Sequence, residues 1–150
     1  MYRCVLAGAF ALLASPHALA QETPDALLAA FIAAVEAEDS QALAALYLPE
    51  ADSYSPGTHH VRGREAIAAD WQGFFDAFDQ IDLDIQPHGS EHFGSSHAAW
   101  GVWTLTQTPA GGGEAFSMDG RFMDVQRQVD GRWYYIADHA SVALPSAEAE

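Results

Sequence analysis

The sequence predicts an α+β domain in which one curved antiparallel sheet wraps on three N-terminal helices. Two observations predict it. Apolar residues recur at helical spacing over roughly the first half of the chain after residue 20, and strand-like runs fill the rest. The final runs flank Asp130-Gly131, a dipeptide whose residues tolerate the positive φ of a tight hairpin turn. Helices first and antiparallel strands last is the order of an α+β fold, and a sheet curled over helices leaves a cavity between them.

The first twenty residues stand apart from this domain. Arg3 forms a short positive region, Val5 to Ala14 an apolar one, and Ala18-Leu19-Ala20 a small-residue cleavage site before Gln21. The apolar run is too short to span a membrane as a helix. A signal peptide over 1–20 is therefore expected, with a periplasmic or secreted product. Cys4 is the single cysteine, so the mature chain would lack disulfides and thiol catalysis. Residues 21–145 are read as one domain, and 146–150 as a frayed acidic tail.

Each element has a local signature. Thr23-Pro24-Asp25 starts a first helix, with Leu27, Leu28, Phe31, Ile32 and Val35 on its face. Asp39-Ser40 caps a shorter helix carrying Leu43, Leu46 and Tyr47. Ala51 to Ser55 reads as a short strand ended by Pro56-Gly57. Gly63 to Phe78 is a third helix, with Ile67, Trp71, Phe74, Phe75 and Phe78 on one broad face. Ile81 to Ile85 alternates as a strand, His97 to Thr108 is rich in Trp, Val and Thr, and Pro109 to Gly113 is a loop before the last hairpin.

The formal charge is −15, and all six basic residues are arginines. A chain this acidic has no electrostatic footprint for nucleic acid or an anionic membrane surface. His59-His60, His88, His92 and His97 lack a recognised ligand spacing and have no cysteine partners, so neither a metal nor another cofactor is expected.

In its order of motifs the chain resembles the nuclear transport factor 2-like superfamily, and within it the SnoaL-like or ketosteroid isomerase-related bacterial proteins. The resemblance rests on Ala37-Glu38-Asp39 with Leu43-Ala44-Ala45-Leu46-Tyr47, Ser55-Pro56-Gly57, Val61 to Ile67, Asp130-Gly131-Arg132-Trp133 and Asp138-His139-Ala140-Ser141. It implies a cone-shaped fold. It does not choose among isomerases, cyclases, dehydratases, epoxide hydrolases and members that only bind or assemble. A ketosteroid isomerase needs a tyrosine where this chain has Phe31 and a base carboxylate where it has Ser55. Its oxyanion-hole acid falls at Met123 in an ungapped alignment, or at Asp124 after a one-residue slip. Epoxide hydrolases of this fold match at Asp138, but their Arg-x-Asp pair has no counterpart in Ala98 to Trp103.

Side-chain alternation sets the candidate site. If Val129 faces Arg132, then Arg121, Met123 and Val125 share a face with Tyr134, Ile136, Asp138 and Ala140. Phe122, Asp124 and Gln126 then share the opposite face with Trp133, Tyr135 and His139. The resemblance implies that Asp138's face lines the cavity. There Asp138 would be a general base in apolar surroundings and Arg121 its diagonal partner, with Met123 and Ile136 as substrate contacts. The alternative is a structural Asp–Arg pair between strands. Trp71, from the third helix, and His60, near the mouth, complete the expected lining. The ligand expected is a small, largely apolar molecule. Whether the cavity is catalytic stays open, and the competing reading is an assembly module with a vestigial pocket. Large apolar groups on both faces of the last hairpin predict a homodimer burying Trp133 or Tyr135 across the outer sheet face.

Overall fold

The computed structural model describes residues 21–56 and 59–142. The expected signal peptide and acidic tail lie outside these residues. The elements run α1 (Pro24–Glu36), α2 (Ser40–Ala44), β1 (Tyr47–Tyr54), β2 (His60–Arg62), α3 (Arg64–Ala77), β3 (Phe78–Phe93), β4 (Ser96–Pro109), β5 (Phe116–Val129) and β6 (Arg132–Val142).

The helix starts follow their caps. Thr23 Oγ1 accepts from the Ala26 N–H at 3.1 Å, and Asp39 Oδ1 from the Ala42 N–H at 2.8 Å, each satisfying a backbone donor that the helix cannot. The second helix is shorter than expected. It stops at Ala44, and Tyr47 opens β1 instead, where its β-prone ring packs on Tyr135. Residues around 60, read as loop, form the short edge strand β2.

The strands form one six-stranded sheet in the order β2-β1-β6-β5-β4-β3. It is antiparallel except between β1 and β6, which run parallel. β2, α3 and three long strands intervene between β1 and β6, so no short turn forces those two strands to run antiparallel. Pro87, which cannot donate a ladder hydrogen bond, sits in β3, at the edge of the sheet, beside a register shift.

Gly120 permits a close approach between neighbouring strands. A Cβ there would lie 2.1 Å from the Trp103 ring and 2.4 Å from the Ser141 carbonyl oxygen. The Trp103 indole fills that space, and its Nε1 donates to the Arg121 carbonyl at 3.1 Å.

The core is concentrated at one end. Leu27 and Val35 of α1, Leu43 of α2 and Ile67 of α3 pack with Tyr47 and Tyr135, all fully or almost fully buried. Gln21 ties the segment before α1 to β6. Its backbone carbonyl accepts from the Trp133 N–H at 2.7 Å, and its Nε2 donates to the Trp133 carbonyl at 3.0 Å. Beyond this core, residues of α1, α3 and β3–β5 line a common cavity.

The hairpin register differs from expectation midway along. Val129 pairs with Arg132, as the turn requires, and Asp130 and Gly131 have φ of 51° and 79°. The pairing then shifts between Val125 and Gln126: Gln126 faces Tyr135, but Val125 faces Ala137, leaving Ile136 as an extra residue. Beyond this bulge every residue of β6 opposes a partner one place from the expected one.

Candidate functional site

The space between helices and sheet is a cavity of about 700 Å³. Its walls are mostly apolar: Phe31 from α1, Trp71 and Phe74 from α3, Leu83 and Ile85 from β3, Trp103 and Leu105 from β4, and Phe122 from β5. Gly73 of α3 also lines it, and a Cβ there would meet nothing within 4 Å.

The bulge decides which polar groups enter. It pairs Asp124 directly with Asp138, and both line the cavity together with Tyr135. Met123 instead pairs with His139 and Arg121 with Ser141. Arg121 and Met123 are exposed and outside the cavity wall, as is half-buried Ile136. The expected Arg121–Asp138 partnership is therefore overturned, since one extra residue turns the two to opposite faces. For the same reason Asp124 takes the inward position that an ungapped reading gives to Met123. Trp71 lines the cavity as expected. His60 does not: it stacks on Tyr54 and its Nε2 lies 2.9 Å from Asp52 Oδ1 on the edge strand. Its neighbour His59 lines the cavity instead.

Asp138 is embedded in a hydrogen-bonded setting. The fully buried Tyr47 hydroxyl donates to its Oδ2. Burial pushes its carboxyl pKa up, while Tyr47, Ser53 and the Tyr54 backbone N–H pull the other way by favouring the charged form. Its Oδ1 is sealed from solvent without a hydrogen-bond partner among the described residues. Asp124 lacks such support. Burial first, and the Asp138 charge second, hold its carboxyl well above the usual carboxylate range. Tyr47 and Tyr135 are raised well above the usual phenol value, chiefly by burial and then by the two carboxyls, so both stay protonated.

Two carboxyls side by side in an apolar wall cannot both ionise cheaply, and they titrate as a pair. The hydrogen bonds to Asp138 favour its charged form, whereas burial and the neighbouring charge both favour the proton on Asp124. Such a pair can deliver a proton to a molecule in the cavity and take it back.

A second polar cluster stands at the mouth. Asp70 of α3 lies 3.2 Å through Oδ1 from His59 Nδ1, and its Oδ2 accepts from Ser55 Oγ at 3.3 Å. All three residues line the cavity. The other histidines are elsewhere. His97 is buried against His92 and Trp133, with Nδ1 3.2 Å from Gln126 Oε1. Among the described residues no group of three or more His, Cys, Asp or Glu is arranged to hold a metal ion.

Sequence reasoning passed over Tyr47, which looks helical beside Leu43 and Leu46, and it put Asp124 and Tyr135 on the outer face. A bulge leaves no mark that periodicity can detect. Asp70, three residues after Ile67 on α3, was within reach of a helical-wheel argument.

Residues 28–136 match the family model of the SnoaL-like domain. The chain belongs to the SnoaL-like family. Solved structures place this SnoaL-like domain among nuclear transport factor 2-like folds. A nuclear transport factor 2 (NTF2-like) superfamily protein from Salmonella enterica is 19% identical with a TM-score of 0.72, over 83% of this chain and 91% of that one. A candidate scytalone dehydratase from Novosphingobium aromaticivorans is 14% identical with a TM-score of 0.74, over 84% and 92%. A candidate dehydratase of the NTF2-like family from Streptomyces avermitilis is 18% identical with a TM-score of 0.71, over 79% and 93%. At these identities the likeness is one of fold. No curated protein is similar enough to match the chain.

Proposed function

We propose that this SnoaL-like domain is an exported protein that binds a small, largely apolar molecule and performs acid–base chemistry on it, of isomerase, lyase or hydrolase type. One observation carries the reading: Asp124 and Asp138 are cross-strand neighbours on the wall of an otherwise apolar cavity. Asp124, with no hydrogen bond among the described residues to stabilise its charge, is the proton donor. Asp138, supported by Tyr47, carries the charge that helps keep that proton in place. The apolar walls exclude water and strengthen these electrostatic effects. Export rests on the order of Arg3, the apolar run and Ala18-Leu19-Ala20. The assembly reading, in which the pocket is vestigial, is disfavoured by a cavity of about 700 Å³ with ionisable groups turned into it.

The test starts with mass spectrometry of molecules retained by the native protein, which supplies the compound for turnover assays. Asp124→Asn keeps shape and removes the acid, so turnover should fall about 10²–10⁴-fold with ligand retention preserved. Unchanged turnover would remove Asp124 from the chemistry. A protein that retains no small molecule and is unaffected by Gly73→Leu, which fills the cavity, would favour the assembly reading.

A further inference from the structure

We infer that His59, oriented by Asp70, is the base that works opposite the Asp124–Asp138 acid. This rests on reading the cavity as a reaction chamber. The Asp70 carboxylate lies 3.2 Å from His59 Nδ1, an ion-pair distance that favours a proton on that nitrogen and so leaves Nε2 as the acceptor of the neutral ring. Asp70 is itself held by the Ser55 hydroxyl, and its side chain is only 19% exposed, whereas that of His59 is 56% exposed. The histidine can therefore exchange its proton with solvent between turnovers, while its orienting carboxylate stays fixed.

The spacing suits one small substrate. Ser53 pairs with Asp138, and Ser55 follows Ser53 by two residues, about 7 Å along an extended chain. Ser55, His59 and Asp70 line the same cavity as Asp124 and Asp138, so one small molecule held in it can meet both centres. For a β-hydroxy carbonyl compound the steps balance. His59 Nε2 takes the proton from the carbon beside the carbonyl, and the electron pair passes to the carbonyl oxygen as an enolate. The carbonyl then re-forms, the carbon–carbon double bond to the β carbon forms as the carbon–oxygen bond breaks, and Asp124 gives its proton to the departing hydroxyl, releasing water. Solvent removes the proton from His59 and restores the one on Asp124. If the acid instead returns its proton to carbon, the same pair moves a double bond.

Phenacyl bromide, a small apolar α-haloketone, tests this on the intact protein without a known substrate. Imidazole nitrogen displaces bromide, a carbon–nitrogen bond forms, and peptide mass spectrometry locates the adduct. His60 and His88, outside the cavity wall, serve as internal references. His59 should be labelled at least 10-fold faster than either, with saturation in reagent. Gly73→Leu should abolish the saturation. Asp70→Asn should slow His59 labelling to the reference rate, and ¹⁵N NMR should show loss of the Nδ1–H tautomer, with rescue by Asp70→Glu. Labelling of His59 no faster than His60, or a rate unchanged in folded Asp70→Asn, overturns the inference. Saturable labelling that falls on Asp124 or Asp138 and spares His59 overturns it while leaving the cavity reading intact. Labelling that never saturates overturns the cavity reading, and this inference with it.

Discussion

Asp124 and Asp138 differ because of a few atoms around each. Asp138 has the Tyr47 hydroxyl on one oxygen, and Asp124 has burial and a neighbouring charge. Both carboxyls are raised, so the folded state binds protons more readily than the unfolded chain. Their contribution to stability is then fully present below the ordinary carboxylate pKa of about 4 and is lost as pH rises through the raised values. Asp124→Asn should therefore raise the thermal midpoint at pH 7 and leave it nearly unchanged at pH 3. Each kcal/mol gained should appear as roughly 3–5 °C for a domain of this size. Thermal melts of wild type and variant across that pH range check it, and a lower midpoint at pH 7 would contradict the buried-acid assignment. His97 has the opposite sign. Burial first, and then His92, lower its pKa, so its neutral form is favoured in the fold. That contribution is complete above about 6.5 and is lost as pH falls toward the depressed value. In His97→Gln the fall in stability between pH 7 and 5 should be shallower.

At the level of elements, turn chemistry and apolar periodicity carried the reading a long way. Thr23 and Asp39 cap the first two helices, α3 falls within one residue of the expected span, and Asp130-Gly131 forms the turn as read. The parallel pairing of β1 with β6 was not legible, because it depends on where the helices fold back rather than on any local pattern. The pairing within the site was only partly legible chiefly because of strand register. Register was counted from Val129 and Arg132, and the count is right as far as Gln126 and Tyr135. One extra residue at Ile136 in β6 then brings Asp138 onto the inward face that Asp124 and Tyr135 already share, and leaves Met123 and Arg121 on the outer face. Trp71 lines the cavity whatever the strand register, because it comes from α3. Gly120 supplies an element-scale test. Its missing Cβ admits the Trp103 ring and the Ser141 carbonyl, so Gly120→Ala should cost about 1–3 kcal/mol through overpacking. Trp103→Phe should not fully rescue it, since the Ser141 backbone contact at 2.4 Å remains. Denaturant midpoints of the single and double variants measure both effects.

At the scale of the whole molecule, the expected dimer needs a different surface from the one the sequence suggested. Trp133 and Tyr135 are 6% and 2% exposed and pack inward with Gln21 and Tyr47, so they cannot be buried against a second copy. The outer sheet face instead presents Trp100, 39% exposed, directly paired across the strands with Met123, 55% exposed. We expect two copies to associate through this patch. Charge sets the conditions. Each chain carries −15, so copies repel at low ionic strength, while the attraction between apolar side chains does not depend on salt in the same way. Raising salt from about 0.01 M to about 0.15 M shortens the screening length from about 30 Å to about 8 Å, so association should tighten over that range. An interface built on ion pairs would weaken instead. Met123→Glu places a charge in the patch without touching the cavity wall and should give monomers by light scattering while cavity labelling is unchanged. Wild-type protein that stays monomeric at micromolar concentration and about 0.15 M salt would show that the outer face is simply solvated.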